Sequence, residues 1–185
     1  SGVCSMCRNG GYNICALKND GSVVFWGNFS SGFPAFPSSD LSSGVNFVAA
    51  SSQDFACLKS NGSIRGWGKE VFNTSSSVPT FIYPVGSNLD SGFVKLVSVR
   101  SIGAFAAIKT DGSVVFFGGA LAANNSYLSN PTAFYPAGSN ITSNVVDVFM
   151  TMGVDFFACY IALKKDGSLV AWGAGASSLS TYITG

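Results

Sequence analysis

One phrase, stated four times, constrains what this chain can fold into. It reads ICALKNDGSVVFWG at Ile14 to Gly27, FACLKSNGSIRGWG at Phe55 to Gly68, FAAIKTDGSVVFFGG at Phe105 to Gly119 and IALKKDGSLVAWG at Ile161 to Gly173. Each copy is an apolar run ending in Lys, an Asp-Gly or Asn-Gly pair, a second apolar run, then an aromatic residue and Gly. Asp-Gly or Asn-Gly between two β-prone runs is a strong local hairpin signal, because both residues tolerate the positive φ of a tight primed turn. Four copies predict four hairpins of one design.

Another β-prone run precedes each hairpin, at Val3 to Met6, Val45 to Ala50, Phe93 to Val99 and Val145 to Met150. The unit is therefore strand, short turn, strand, Asp-Gly turn, strand, connector. The turn glycines Gly21, Gly62, Gly112 and Gly167 give a period of roughly 40 to 55 residues, the range of propellers and solenoids. The third strand of each unit is apolar on both faces, with Val23 and Phe25 alternating with Val24 and Trp26, and Val114 and Phe116 with Val115 and Phe117. Such a strand needs a sheet packed on each face, and stacked blades supply one. The predicted fold is all-β: a propeller-like array of four antiparallel blades. The 185 residues form one repeat domain, 1–185, with repeats at roughly 1–44, 45–92, 93–144 and 145–185. No segment reads as a helix.

The connectors repeat as well. PTFIYPVGSN at Pro79 to Asn88 matches PTAFYPAGSN at Pro131 to Asn140, and FPAFP at Phe33 to Pro37 is a shorter version. All six prolines sit in these segments, which makes them edge strands or loops, since Pro cannot donate to a central ladder. Their aromatics Phe33, Phe36, Phe81, Tyr83, Phe134 and Tyr135 are candidates for a contact surface; packing on their own blade is the equal alternative.

The phrase ALKKDGSLVAWG, from Ala162 to Gly173, resembles the repeat of the regulator of chromosome condensation family. The secreted and bacterial members, including propeller-form β-lactamase inhibitor proteins, look closest. All four repeats carry the likeness, which covers nearly the whole chain. It implies a β-propeller; it leaves function open, because that family spans nucleotide-exchange factors, inhibitors and scaffolds. The chain departs from the family in lacking Gly-Gln-Leu-Gly after Gly27, Gly68, Gly118 and Gly173, in its Ser-, Phe- and Pro-rich connectors, and in having four repeats where seven blades are usual. The simplest reading is one part of a longer repeat protein; the alternative is a four-bladed ring or an open array completed by neighbouring copies, and an exposed terminal blade would present strand edges and an apolar face.

Composition narrows the chemistry. Charged residues make up 10% of the chain and the net charge is +1, with no basic stripe, so a nucleic-acid partner is not expected. There is no His, and Glu70 is the only Glu, which removes the commonest general base and metal ligand. Asp20, Asp111 and Asp166 occupy the turn position that Asn61 fills in the second repeat, an exchange that argues for geometry over charge. Asp147 and Asp155 gather nothing around them. The glycine turns lack the Lys-Ser/Thr of a phosphate loop. No catalytic, cofactor or metal residue is assigned, and no membrane span is expected, the most apolar stretch being cut by Asp147, Gly153 and Asp155. No signal peptide is visible at Ser1-Gly2-Val3, and one already removed would leave the same sequence.

Lys18, Lys59, Lys109 and Lys164 recur before the turn, where a packed stem with its ammonium at the rim is the plain reading. Cys4-Ser-Met-Cys7 has CxxC spacing, but Cys15, Cys57 and Cys159 fall singly in strands, so neither zinc nor redox chemistry is supported; core cysteines with one disulfide, Cys4 or Cys7 with Cys15, are expected. Five Asn-x-Ser/Thr sequons, at Asn28, Asn61, Asn73, Asn124 and Asn140, lie in connectors or turns, where N-linked glycan is accepted and where Asn also serves ordinary turn geometry. Together these features predict a non-enzymatic extracellular or cell-surface protein acting through protein–protein contacts. The favoured form is a structural subunit of a filament-like assembly whose partners are copies of itself. The alternative is a soluble binding module such as an enzyme inhibitor or recognition propeller. A sugar-binding propeller has only the exposed aromatics in its favour.

Overall fold

The computed structural model describes residues 2–27, 37–68, 82–83, 87–99, 104–118, 141–152 and 158–173. Every regular element among them is a strand. Blade 1 comprises β1 (Val3–Arg8), β2 (Ile14–Lys18) and β3 (Val23–Trp26); blade 2 comprises β4 (Val45–Ala50), β5 (Asp54–Lys59) and β6 (Ile64–Gly68). Blade 3 contains β7 (Ile82–Tyr83), β8 (Phe93–Val99), β9 (Ala104–Lys109) and β10 (Val114–Gly118); blade 4 contains β11 (Val145–Met152), β12 (Ala158–Lys164) and β13 (Leu169–Gly173). The four blades are four separate antiparallel sheets, as the repeated hairpins predict. The first strands of blades 1 and 4 run two residues beyond the sequence expectation, to Arg8 and Met152.

Each blade is built on one register. The first strand carries an irregularity after its opening residue, so Val3, Val45, Phe93 and Val145 face Lys18, Lys59, Lys109 and Lys164, while the next paired residues are Ser5, Phe47, Lys95 and Asp147. The Asp-Gly and Asn-Gly turns close as expected, with Gly21, Gly62, Gly112 and Gly167 all at φ between +76° and +86°. The pair Ile82–Tyr83 forms an edge strand beside Pro84, against Phe117 and Phe116 of β10. The outer strand of blade 3 therefore comes from the chain ahead of its first strand.

The core lies between blades. Cys15, Leu17 and Val23 of blade 1 pack on Val48, Phe55 and Trp67 of blade 2. Leu58 and Ile64 of blade 2 pack on Leu96, Phe105 and Phe117 of blade 3, and Ile108, Val114 and Phe116 of blade 3 on Val148, Tyr160 and Trp172 of blade 4. Burial of both faces, inferred for every third strand, holds fully for β10. It fails for β3 and β13, where Trp26 and Leu169 are exposed, because among the described residues each of their blades packs against another blade on one side only.

A backbone clamp joins successive blades. The carbonyls of Gly21, Gly62 and Gly112 accept the N–H of Val45, Phe93 and Val145 at 2.9, 3.0 and 3.1 Å. Buried Leu41, Leu89 and Ile141 accept from Val23, Ile64 and Val114, tying each third strand to the segment leading into the next blade. These three residues head a repeat of their own, LSSG, LDSG and ITSN, that ends in a positive-φ residue, Gly44, Gly92 or Asn144.

Candidate interaction surface

The residues of the repeated phrase are committed to the scaffold. Asp20 accepts the N–H and hydroxyl of Ser22, at 3.0 and 2.6 Å, and Asp166 does the same for Ser168 at 2.9 and 2.6 Å. Asn61 holds Ser63 at 3.0 and 2.7 Å, so an amide does the work of a carboxylate and the Asp/Asn exchange is geometric. Hydrogen bonds from Ser113 and Ser168 hold the carboxyls of Asp111 and Asp166 below the usual range, the reverse of what a general acid needs. The glycine after the aromatic residue is equally structural. Gly27 and Gly68 have φ of 153° and 149°, and a Cβ there would lie 2.0 and 2.1 Å from the side-chain oxygens of Asn13 and Asp54.

The repeated lysines are half-buried. The ammonium of Lys109 sits 5.4 Å from the centre of the Phe93 ring, and that of Lys59 donates to the carbonyl of Asp40, consistent with a rim role. Cys4, Cys7, Cys15 and Cys57 are thiols in this structure. The register nevertheless separates the two disulfide candidates: Cys7 lies directly across from Cys15, whereas the thiol of Cys4 turns to the carbonyl of Leu17 at 3.4 Å. The hydrogen bond with Cys7, then burial, pushes the Cys15 thiol far up; burial pushes Cys57 up to about 12. Neither is a reactive thiolate at neutral pH. Among the described residues no cluster of three His, Cys, Asp or Glu could hold a metal, and no helix is long and apolar enough to cross a membrane.

Of the other predicted site residues, Asn61 is exposed in its hairpin turn and Tyr83 lies on β7. Asn28, Asn73, Asn124, Asn140, Phe33, Phe36, Phe81, Phe134 and Tyr135 lie outside the described residues.

Two surfaces stand out instead, the second of them the apolar face that the open-array reading expects of terminal blades. The first strands line up along one concave side, around a cavity of about 540 Å³ bordered by Phe47, Lys95, Val97, Asp147 and Phe149. Lys95 and Asp147 form an ion pair at 2.6 Å that bridges blades 3 and 4. The bulge explains the placement, since it puts Ser5, Phe47, Lys95 and Asp147 at one level in consecutive blades. The second surface consists of the outer faces of the end blades. Val3, Met6, Ile14 and Trp26 are exposed on blade 1, and Phe149 and Leu169 on blade 4. A superposition of the four repeats would have revealed the residues of the second, since each exposed position there is buried in an interior copy.

This arrangement of blades is a β-propeller-like fold, similar to that of solved RCC1 propellers. The chain is similar to yeast RCC1 (Prp20) in a complex with Kap60, with a TM-score of 0.58 and 17% identity over 92% of this chain and 43% of that one. Prp20p from Saccharomyces cerevisiae, in a structure reported with its binding properties to Gsp1p and histones, gives 0.57 and 18% identity over 94% and 44%. The CRINKLY WD40 ectodomain of the Arabidopsis thaliana receptor kinase ACR4 gives 0.53 and 19% over 94% and 51%. The chain thus spans about half the length of the propellers it matches. No protein-family model matches the sequence, nor does any curated protein.

Proposed function

We propose that this chain is a non-enzymatic, extracellular repeat protein that acts through protein–protein contacts as a structural subunit of a surface or filament-like assembly. The observation that carries the reading is the exposure of large apolar side chains on both end blades, Trp26 and Met6 at one end and Phe149 and Leu169 at the other. Contiguous apolar surface of this kind marks an interaction site. The propellers of similar fold support it by analogy, one bound to Kap60 and another an ectodomain. In this reading Asn28, Asn61, Asn73, Asn124 and Asn140 are sites for N-linked glycan, and the connector aromatics add to the contact surface. The test is cross-linking of native material with intact-mass and glycan analysis. Cross-linked multi-protein species carrying glycan are expected; an unglycosylated, monodisperse monomer refutes the reading.

A second reading, a soluble binding module such as an inhibitor or recognition propeller, is favoured by the concave cavity. There an ion pair between Lys95 and Asp147 sits beside exposed Phe47 and Phe149, the mixture of polar anchor and aromatic surface that recognition sites use. It predicts a stoichiometric complex with one protein, weakened by Phe149→Ala.

A further inference from the structure

Among the described residues, thiols gather at one interblade contact. Cys7 and Cys15 are partners across β1 and β2, and Cys57 of β5 packs in the same core cluster between blades 1 and 2. The same three positions at the next two contacts are Ala49, Ala56 and Ala107, then Val97, Ala106 and Ala162. Sulfur at all three is therefore not what holds one blade on another.

The three thiols differ in access. Cys15 and Cys57 are fully buried. Cys7 is half-buried and lines the 540 Å³ concave cavity, a volume in the range that admits small molecules. It lies on the side of blade 1 that packs against blade 2, so its surroundings come from described strands. Cys4, the other member of the CxxC pair, is engaged with the carbonyl of Leu17 and stands outside the cluster. Facing residues of an antiparallel pair have Cα atoms roughly 4.5–5.5 Å apart, inside the range of about 4.4–6.8 Å that a disulfide spans.

We infer that Cys7 is a thiol-modification site on the concave surface that takes a small-molecule disulfide such as oxidised glutathione, with Cys15 behind it as the resolving thiol. This goes beyond both readings above and depends on neither. In the first step the Cys7 thiolate attacks the oxidised glutathione; its S–S bond breaks, a Cys7–glutathione disulfide forms and one glutathione thiolate leaves. In the second, the Cys15 thiolate attacks the Cys7 sulfur, the Cys7–Cys15 bond forms and the second glutathione thiolate leaves. Two protein thiols are oxidised, one glutathione disulfide is reduced to two thiols, and the protons of Cys7 and Cys15 end on those thiols or in buffer. The order follows from the surroundings. The hydrogen bond with Cys7, then burial, push the Cys15 thiol far up, so it holds its proton at first. Capping Cys7 removes that hydrogen bond and the repulsion from a Cys7 thiolate, which lowers the cost of ionising Cys15 for the second step.

The test treats the folded 185-residue chain, carrying Cys4→Ser, with oxidised glutathione in mildly alkaline buffer, quenched with acid over a time course. Trypsin separates Cys7, on the peptide ending at Arg8, from Cys15, on the peptide ending at Lys18. One glutathionyl group is expected first on the Cys7 peptide, then lost as the two peptides become joined, with return to thiols under dithiothreitol. In Cys15→Ala, which installs the residue found at Ala56 and Ala106, the adduct on Cys7 should persist; in Cys7→Ser, Cys15 should stay a thiol. Unchanged circular dichroism confirms that each variant folds, and the parent's time course decides the matter without them. A Cys7 that stays a thiol, an adduct seen first on Cys15, a Cys7 adduct that persists while Cys15 is present, or a Cys15–Cys57 bond overturns the proposal.

Discussion

The interblade clamp can be probed by adding one methyl group at each turn glycine. Gly21, Gly62, Gly112 and Gly167 share a φ near +80°, so Ala at any of them incurs the left-handed penalty of roughly 1–2 kcal/mol, partly offset by about 0.4–1 kcal/mol of reduced freedom in the unfolded chain. What differs is the space. At Gly167 a Cβ meets nothing within 4 Å; at Gly21 and Gly62 it lies 3.0 Å from a backbone nitrogen of the next blade; at Gly112 it lies 2.4 Å from the nitrogen of Asn144 and 2.7 Å from that of Val145. All three neighbours are backbone atoms, which relieve the clash only by moving the blade. At Gly112 that movement breaks the bonds from Val145 to Gly112 and from Asn144 to Asp111, at 3.1 and 3.2 Å, worth about 0.5–1.5 kcal/mol each. The expected losses are therefore about 1 kcal/mol for Gly167→Ala, about 2 for Gly21→Ala and Gly62→Ala, and about 3–4 for Gly112→Ala. Urea unfolding followed by tryptophan fluorescence reads the order. Loss of amide protection at Val145 in Gly112→Ala locates the damage. Equal losses at Gly112 and Gly167 would refute the clamp as the basis of blade cohesion.

Three further outcomes are expected. Phe116→Ala empties the wedge that meets the rings of Tyr160 and Trp172 edge-on at 5.6 and 6.0 Å; it should cost about 3–5 kcal/mol in chemical denaturation, while Met6→Ala on the exposed face changes the monomer's stability by under about 0.5 kcal/mol. Under glutathione oxidation Cys7 should join Cys15, seen by peptide mapping, and raise stability by about 2–3 kcal/mol, with Cys4 left out of the product. The Cys57 thiol, raised by burial from 9.0 to about 12, binds its proton more tightly folded than unfolded. Its contribution is therefore complete below pH 9 and is lost as pH rises from 9 towards 12. Cys57→Ala, which installs the residue found at the matching Ala16, Ala107 and Ala162, should flatten that part of the stability profile.

Much of the fold was legible because its signals are local. The Asp-Gly pair, the Lys before it and the alternating third strand each report on residues within one hairpin, and four copies reinforce one another. The interblade contacts were harder to see. The wedge position before the aromatic residue is Phe25 or Phe116 in two blades but Gly66 or Ala171 in the others, so it does not read as a repeat. Phe25 meets the rings of Phe55 and Trp67 at 5.2 and 6.4 Å, and that geometry depends on a blade about forty residues further along the chain. The clamp residues Leu41, Leu89 and Ile141 were hidden inside segments that composition marks as loops. The concave surface was missed for another reason: Phe47, Lys95 and Asp147 have nothing in common as residue types, and only the shared bulge brings them to one level.

That division bears on where function can reside. Turn, clamp and aromatic stack are repeated, with Phe55 on Trp67, Phe105 on Phe117 and Tyr160 on Trp172 all stacked at 5.2 to 5.5 Å and within 12° of parallel. Blade 1 has Ile14 opposite Trp26 at the same place. In the interior blades the ring pair is sealed by the preceding blade; in blade 1 the Trp remains although no described blade covers it. Leaving a Trp 52% exposed forgoes burial of an area that dominates interface energetics elsewhere. At the opposite end Phe149 replaces the Ala49 and Val97 of the interior repeats, enlarging an apolar side chain where it meets solvent. On both faces the repeat geometry specifies the shape of what would cover them.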